Sequence, residues 1–525
     1  MFDDFTLKNQ VNDWKKRYLF ERGFLMTTKK QDESSYPFFD RWKYTHFDNY
    51  HFYIHPDQTG YFCQGNQRDC FLIGHAYDPF DKILSENEIL NRLSNCRTTE
   101  LHDYFNNLTG VFTFGYVEDN KLTMISDCAS MQIAYYGKFG DDLYVSTHMQ
   151  LIGDLLSLPV QEYVKELVNY KFYHFYGAFL PGNISSFAGL FRVVPNTKVI
   201  YDGSKFLIKR FYPTKELMMT QTQDDYSKTI KRIAEIMRAT MEMIAQKWAH
   251  PGISMTGGMD SKATVAAANG LYDHYYLFSY ISMPGEEPDA LAAHRIAAAI
   301  GAEHHIDRID NDDDHYNNIE IYRKILEHNY GEIGKQNAND VRKRLFYLDE
   351  DNRPFDVEVK SWVSEIGRAN YYKKFGMKKM PYRLTPRQMT TLYKLFLNNR
   401  SLVKKTDQLF KEYIEKTDFN NIYNYDSSDM FLWEMRYGGW GGQVITCEHR
   451  VSFDITIPYN NRRLMELFLT LPLEKRINDQ VHYDLIYELN PDVSNTNITI
   501  TNYNETKRRM YMEKMYYLIN TNLPF

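Results

Sequence analysis

Residues 253–264 read Ile-Ser-Met-Thr-Gly-Gly-Met-Asp-Ser-Lys-Ala-Thr, an apolar run that breaks at two glycines and passes through Asp-Ser into an alanine-rich segment. A strand, a tight turn and a helix start follow one another so closely here that few folds remain open. Gly257 and Gly258 lack a Cβ, so the backbone can turn sharply and bring its N–H groups within reach of phosphate oxygens. The helix expected from about Ser261 through Lys262, Ala263, Val265, Ala266, Ala267 and Ala268 points its positive end at the same place. Asp260 is placed to hold Mg²⁺. A bare Gly-Gly is usually an ordinary turn, but Thr256, Asp260 and Ser261 around it favour a phosphate site. Ser254, Met255, Thr256, Gly257, Gly258, Asp260 and Ser261 are therefore the expected ATP contacts. No Gly-x-x-x-x-Gly-Lys-Ser/Thr occurs in the chain, so the residues do not suggest cleavage at the γ-phosphate.

The next segments extend the pattern. Residues 275–282 are rich in β-formers, 288–300 are alanine-rich at helical spacing, and 303–306 read as a third short strand. The region from about 250 to 310 thus reads as a parallel, doubly wound α/β unit, which binds nucleotides at the carboxyl ends of its strands. Ser279 and Tyr280 join the expected ATP contacts. The adjacent His304 and His305 read as structural, since no cysteine or third histidine stands at zinc spacing.

With 525 residues and 62.3 kDa the chain has room for two or three domains, and 43% apolar residues can fill their cores. The net charge of −6, with no long basic run, argues against nucleic acid. No apolar stretch approaches the roughly 18 residues that span a bilayer, and the N-terminus lacks a signal-peptide layout. Five scattered cysteines, Cys63, Cys70, Cys96, Cys128 and Cys447, suit reduced thiols in a cytoplasm. A homo-oligomer is compatible with all of this. Turn-rich residues between about 203 and 225 mark the boundary: residues 1–210 form one domain, 211–225 a linker and 226–525 a second domain. Strand-like runs dominate the first, at 51–55, 60–64, 69–73, 110–118, 122–126, 132–137 and 143–146. Helices dominate the second, beginning at 226–248 with Ile230, Ile233, Ile236, Met237, Met241 and Ile244 on one face.

The stretch 256–261 resembles the pyrophosphate (PP) loop Ser-Gly-Gly-x-Asp-Ser of ATP pyrophosphatases, with Thr256 in the place of the first serine. Residues 283–289 (Met-Pro-Gly-Glu-Glu-Pro-Asp) and 301–305 are similar to the corresponding stretch of asparagine synthetases. The first domain resembles the glutaminase domain of the class B enzymes. Residues 73–78 with 85–90 look like its Asn-Gly-x-x-Tyr-Asn loop and following helix, 108–114 like its Leu-Asp-Gly-x-Phe-Ala-Phe strand, and 187–195 like its closing segment. That resemblance implies an Ntn-type αββα sandwich followed by a doubly wound PP-loop domain with a helical C-terminal portion. A glutaminase of this kind uses an N-terminal cysteine, and position 2 here is Phe2, so no glutamine hydrolysis is expected.

Residues 359–368 fall where asparagine synthetases carry Ser-Gly-Glu-Gly-Ser-Asp-Glu, with Ser361 and Val363 in place of glycines. The resemblance implies that Ser361 contacts ATP and that Ser364-Glu365 replaces the family's Ser-Asp, so that Glu365 joins Asp260 in holding Mg²⁺; Arg368, always charged, departs from the glycine-rich pattern and is expected to steady departing pyrophosphate. The alternative for Glu365 and Arg368 is a salt-bridged helix start. Residues 433–440 and 457–467 resemble a family helix and its Val-Pro-Phe-Leu-Asp segment, which puts Glu434 and Arg436 in an acceptor pocket. The family's Gly-x-x-Lys near 480 is absent, and Lys475, Arg476, His482 or Arg368 could supply the charge. The implied function is an ATP-dependent ligase that adenylates a small-molecule or peptide carboxylate and joins it to an amine. Family members without the cysteine, such as β-lactam synthetases and lasso-peptide cyclases, do this within one molecule. Ammonia-dependent amidation of a sugar acid or amino acid, a pyrophosphate-loop enzyme that activates a carbonyl or nucleobase oxygen, and a non-catalytic nucleotide-binding protein stay open.

Overall fold

The computed structural model describes residues 13–316, 319–498 and 506–522; Phe2, on which the glutaminase expectation turned, lies outside them. The architecture is mixed α/β, with antiparallel sheets, a parallel sheet and helices.

The first half is built from β1 (Phe24–Thr27), β2 (Lys43–Phe47), β3 (Tyr50–Ile54), β4 (Gly60–Cys63), β5 (Asp69–Tyr77), β6 (Thr109–Glu118), β7 (Lys121–Ser126), β8 (Tyr135–Phe139), β9 (Asp142–Ser146), β10 (Leu190–Arg192), β11 (Thr197–Tyr201) and β12 (Phe206–Arg210). They form two antiparallel sheets, ordered β10-β8-β9-β1-β3-β2 and β12-β11-β7-β6-β5-β4. Phe24, Met26, Phe52 and Ile54 of one sheet share a core with Phe71, Ile73, Leu122 and Met124 of the other, and the Phe52 and Phe71 rings lie 5.0 Å apart. Helix α1 (Glu86–Asn95) packs on β4 and β5, and α2 (Met149–Leu156) on β9.

Several expectations need correction here. Residues 73–78, compared above with a loop, continue strand β5 as far as Tyr77. Gly74 and Gly110 permit this at φ 116° and 141°, because a Cβ on either would lie 2.2 Å from the opposing strand's carbonyl oxygen. The strand expected at 132–137 runs instead over Tyr135–Phe139. The Asp127 carboxylate accepts the N–H groups of Ala129, Met131 and Gln132, which fixes a turn at the expected start. The strand expected at 303–306 shifts to His305–Arg308.

The second half begins with α3 (Gln223–Lys247), whose Thr222 and Asp225 close a reciprocal cap. Its expected apolar face is buried. A parallel sheet follows, of β13 (Pro251–Ser254), β14 (Tyr276–Ile281), β15 (His305–Arg308), β16 (Val357–Val359) and β17 (Asp454–Thr456), in the order β15-β14-β13-β16-β17. The order reverses between β13 and β16, so the chains leaving these neighbouring strands diverge and open a crevice at their carboxyl ends. Helix α4 (Met259–Ala267) leaves β13 at that crevice and packs with α3 against α7 (Gln480–Leu489). Helix α5 (Glu287–Ala299) follows β14, and α6 (Ala338–Leu348) precedes β16. All five cysteines are free, and no helix of the described residues is long and apolar enough to cross a membrane.

Candidate active site

Two loops meet at the crevice. The first leaves β13. The Met255 N–H donates to the Phe278 carbonyl at 2.7 Å, and Ser279 Oγ donates to the Met255 carbonyl at 2.7 Å, so this loop is stitched to β14. Its remaining N–H groups have side-chain acceptors: Thr256 N–H to Ser261 Oγ (2.9 Å), Gly257 N–H to Asp289 Oδ1 (2.7 Å) and Gly258 N–H to Thr256 Oγ1 (3.2 Å). Helix α4 starts after Gly258 with no side-chain cap, which leaves its first-turn N–H groups and partial positive charge open to an anion.

The second loop leaves β16. Val363 has φ 80° and Ala369 φ 51°, a left-handed conformation that disfavours a β-branched residue and stores about 1–3 kcal/mol. Val363 thus holds a backbone conformation that glycine usually supplies. Ser361 Oγ donates to Thr264 Oγ1 at 2.8 Å, which pins this loop to α4. Ser364 Oγ donates to Asp260 Oδ1 at 2.6 Å.

The loops converge on Asp260. Arg368 Nη1 bonds Asp260 Oδ2 at 2.5 Å, and Arg368 Nε bonds Asp479 Oδ1 at 2.9 Å. Lys373 also binds Asp479. His482 Nε2 lies 3.4 Å from Asp260 Oδ1 and has no hydrogen-bond partner. Burial, and then the Arg368 guanidinium, lower His482 to about 4, so it is neutral at pH 7. Burial and then the Asp260 charge raise the Glu365 carboxyl to about 7, and its Oε2 accepts the Tyr437 hydroxyl. Three cationic or neutral donors thus surround two aspartates and one readily protonated glutamate beside an uncapped helix end.

This arrangement brings together Ser254, Met255, Thr256, Gly257, Gly258, Asp260, Ser261, Ser361, Glu365 and Arg368. Arg368 takes Asp260 and Asp479 as partners rather than closing a helix-start bridge with Glu365. Ser279 reaches the site only through the Met255 carbonyl, and its Oγ also lies 3.0 Å from His304 Nε2, a structural histidine as expected. Tyr280 packs under Lys343, 4.5 Å from its ring.

Glu434 is a correction. It is fully buried and bonds Arg210 (2.6 Å), Tyr413 (2.6 Å) and Asn196 (3.3 Å), so it clamps the two halves together and lines no pocket. Its neighbour Arg436 stays near the site, with its guanidinium 3.8 Å from the Trp440 ring and donating to the Tyr176 carbonyl. Of the replacements considered for the missing lysine, Lys475 is bonded to Gln223 and Arg476 to buried Asp429, so neither faces the crevice. Lys373 and Asp479 carry no local pattern, and Asp289, though inside the 283–289 stretch, shows its role only through a partner 32 residues away at Gly257. Among the described residues, three metal-ligand groups come within mutual reach only at Glu21, His55 and Asp57, in the first half.

No protein-family model matches the chain, and no curated protein matches it either. Among solved structures, an allosteric regulatory enzyme of purine biosynthesis is 11% identical, at TM-score 0.25, covering 61% of this chain and 89% of that one. The glutamine phosphoribosylpyrophosphate amidotransferase of B. subtilis, complexed with ADP and GMP, is 10% identical at TM-score 0.23 and covers 61% and 89%. A glutamine-dependent NAD⁺ synthetase from Acinetobacter baumannii, in complex with ADP, is 10% identical at TM-score 0.21 and covers 69% and 80%. At such TM-scores the likeness carries no argument about the fold or activity of this chain.

Proposed function

We propose that this protein is an ATP-dependent, AMP-forming carbon–nitrogen ligase that adenylates a substrate carboxylate and joins it to an amine. Its proposed family is that of class B asparagine synthetases without the glutaminase cysteine. The observation that carries this reading is the convergence, at the reversal of strand order, of an uncapped helix end, Asp260 and the cations Arg368 and Lys373. Main-chain N–H groups at the uncapped start of α4 would receive phosphate oxygens, joined by those of Gly257 and Gly258 only on release from Asp289 and Thr256, and Arg368 and Lys373 would balance the charge of departing pyrophosphate.

The donor set fits Mg²⁺ as part of a nucleotide complex. Mg²⁺ is commonly held by one or two carboxylates together with phosphate oxygens, and Asp260 and Glu365 are two carboxylates flanking the phosphate-binding helix end. The metal would neutralise charge on the phosphoryl oxygens. Asp260 gives up a guanidinium partner in this role, and Glu365 must be ionised.

In this reading residues 1–210 are a glutaminase-like Ntn-type unit that does not hydrolyse glutamine, 211–225 a linker and 226–525 the adenylating PP-loop unit, working in the cytoplasm. The amine is free or lies on the substrate itself. A non-catalytic nucleotide-binding protein is the second reading, favoured by the Arg368 guanidinium already seated on Asp260. Chromatographic analysis of nucleotide products with Mg-ATP and candidate carboxylates tests the choice. AMP and pyrophosphate are expected, ADP refutes the ligase, and binding without turnover across a broad carboxylate panel favours the second reading.

A further inference from the structure

Helix α8 (Lys507–Asn522) is apolar on two opposite faces. Its inner face is docked. Glu513, 5% exposed, accepts the Tyr176 hydroxyl at 2.9 Å and Arg509 Nε at 3.0 Å, Tyr517 stacks on Phe375 at 4.7 Å, and Asn520 Nδ2 donates to the Leu395 carbonyl at 2.7 Å. The outer face carries Tyr511, Met512, Met515, Leu518 and Ile519, the i, i+1, i+4, i+7 and i+8 spacing with which a helix buries a stripe. Here that stripe meets solvent: Tyr511 is 65% and Ile519 47% exposed. Tyr516 flanks it, 5.0 Å from the Phe396 ring, which in turn lies 5.3 Å from the exposed Phe175. A contiguous exposed apolar surface of this kind marks an interaction site.

The charge around the stripe has one sign. Lys507 and Arg508 are exposed at its start, Lys514 sits one turn from Tyr511 and Leu518, and the only acid of α8, Glu513, is the buried partner of Arg509. Gly376 packs on Met510 and accepts Lys514 Nζ at 3.5 Å, and the exposed Lys378 and Lys379 follow it in the chain. A chain of net charge −6 thus gathers cations at this stripe, which calls for an anionic partner. Size narrows the choice. A helix of 16 residues offers a strip about 24 Å long and about 10 Å wide, well short of the ~800 Å² that each side of a stable protein complex buries. That argues against a second copy or an acidic protein and for a lipid surface, which has no edge to match. Lys and Arg toward anionic headgroups, Tyr at the interface and Met, Leu and Ile beneath it make up helices that lie in such a surface.

We propose that α8 docks the protein on an anionic membrane surface, with Tyr511, Met512, Met515, Leu518 and Ile519 entering the headgroup layer and Lys507, Arg508 and Lys514 meeting the charges of acidic lipids. The protein lies on the bilayer without spanning it. A single short helix binds reversibly, so the chain exchanges between membrane and solution. The inference is independent of the ligase reading, since none of these side chains belongs to the crevice.

The full chain is sedimented with vesicles of mixed phosphatidylserine and phosphatidylcholine and, separately, of phosphatidylcholine alone. Binding to the first is expected to weaken with added salt and to exceed binding to the second by at least ~10-fold. Lys507→Gln together with Arg508→Gln should weaken it about 20-fold, at about fivefold for each cation near an anionic surface, and Met512→Ser together with Ile519→Ser by at least ~10-fold. These side chains are exposed, so the thermal midpoint should hold; should it fall, the lipid and salt dependence of the unaltered chain still decides. Failure to bind the anionic vesicles, or equal binding to both kinds, overturns the proposal. So does a dimer in sedimentation velocity that Ile519→Ser dissociates, which would assign the stripe to a second copy, or capture of an acidic amphipathic peptide where vesicles are ignored, which would assign it to a protein.

Discussion

Replacing Asp260 by Asn separates the two roles its carboxylate has in the structure. The Asp260 and Arg368 side chains are 19% and 18% exposed, so their attraction is only partly screened. Asparagine is close in size, but its single carbonyl oxygen can accept only from Arg368 while its amide nitrogen donates to a rotated Ser364 hydroxyl, and these bonds lose their charge assistance. A hydrogen bond to a charged group contributes about 1.5–3 kcal/mol and a neutral one about 0.5–1.5, so the expected loss of stability is about 1–2 kcal/mol. Arg368 keeps Asp479 at 2.9 Å, which holds the loss to the lower part of that range. Turnover should fall much further. Removing one preorganised contact to transition-state charge typically costs ~10²–10³-fold in rate, about 3–4 kcal/mol. Pyrophosphate release and thermal midpoint, measured on the same preparation, decide between these effects. An Asp260→Asn protein that folds and turns over within about threefold of the parent, well short of that ~10²-fold loss, would refute the catalytic role and leave Asp260 as the partner of Arg368.

The other predictions concern Glu365, the clamp between halves and the cysteines. Glu365 titrates near 7, raised by burial and then Asp260 from an ordinary 4.5, so between those values the native chain holds a proton that the unfolded chain has released. Its contribution to stability therefore falls as pH rises from about 4.5 to 7 and is level above; Glu365→Gln should remove that slope from the thermal midpoint between pH 5 and 8, and parallel profiles would contradict the assignment. Glu434→Gln leaves Arg210, 4% exposed, without its buried countercharge and should destabilise by about 3–5 kcal/mol, read by denaturant melts; a change under about 1 kcal/mol would place the pair among exposed bridges. Burial raises the thiols of Cys70, Cys96, Cys128 and Cys447, which disfavours the thiolate. The protein should release no glutamate from glutamine and take no adduct from a thiol-directed glutamine analogue, and intact-mass spectrometry showing both would overturn that view.

What the sequence disclosed follows from how locally each feature is encoded. The 253–264 segment was legible because strand end, turn and helix start are specified by adjacent residues. The face of α3 was legible because helical spacing repeats over many turns. Strands β16 and β17 were not, since each is three residues long and carries an acid, Glu358 or Asp454, that hides its β-character. Asp289 and Asp479 were invisible for a different reason: their partners Gly257 and Arg368 lie 32 and 111 residues away. Glu434 shows the same limit in reverse. Read locally it was a charge free to meet a ligand, whereas in the fold Arg210, 224 residues earlier, has claimed it.

The first half is tied to the crevice through the segment that follows β17. Tyr459 donates its hydroxyl to the Asp260 carbonyl at 3.3 Å, at the start of α4. The next residue, Asn460, donates to the Gly110 carbonyl at 2.6 Å and to Asp127 at 2.9 Å, and accepts the Ala129 N–H at 2.8 Å. Asn461 donates to the Asn107 carbonyl at 2.6 Å, and buried Arg462 donates to the Ser126 and Asp127 carbonyls and to Asn196. Three consecutive residues of the second half are thus hydrogen-bonded to the sheet of β5–β7 and its flanking turns, one residue after the tyrosine that touches the start of α4. The first half fixes where Tyr459 sits, and through it where α4 begins, whatever chemistry that half has. Removing that half would leave Arg462 and Asn460 with unpaired polar atoms and Asp260 with a helix start held only from one side, so positional accuracy at the crevice depends on strands outside it.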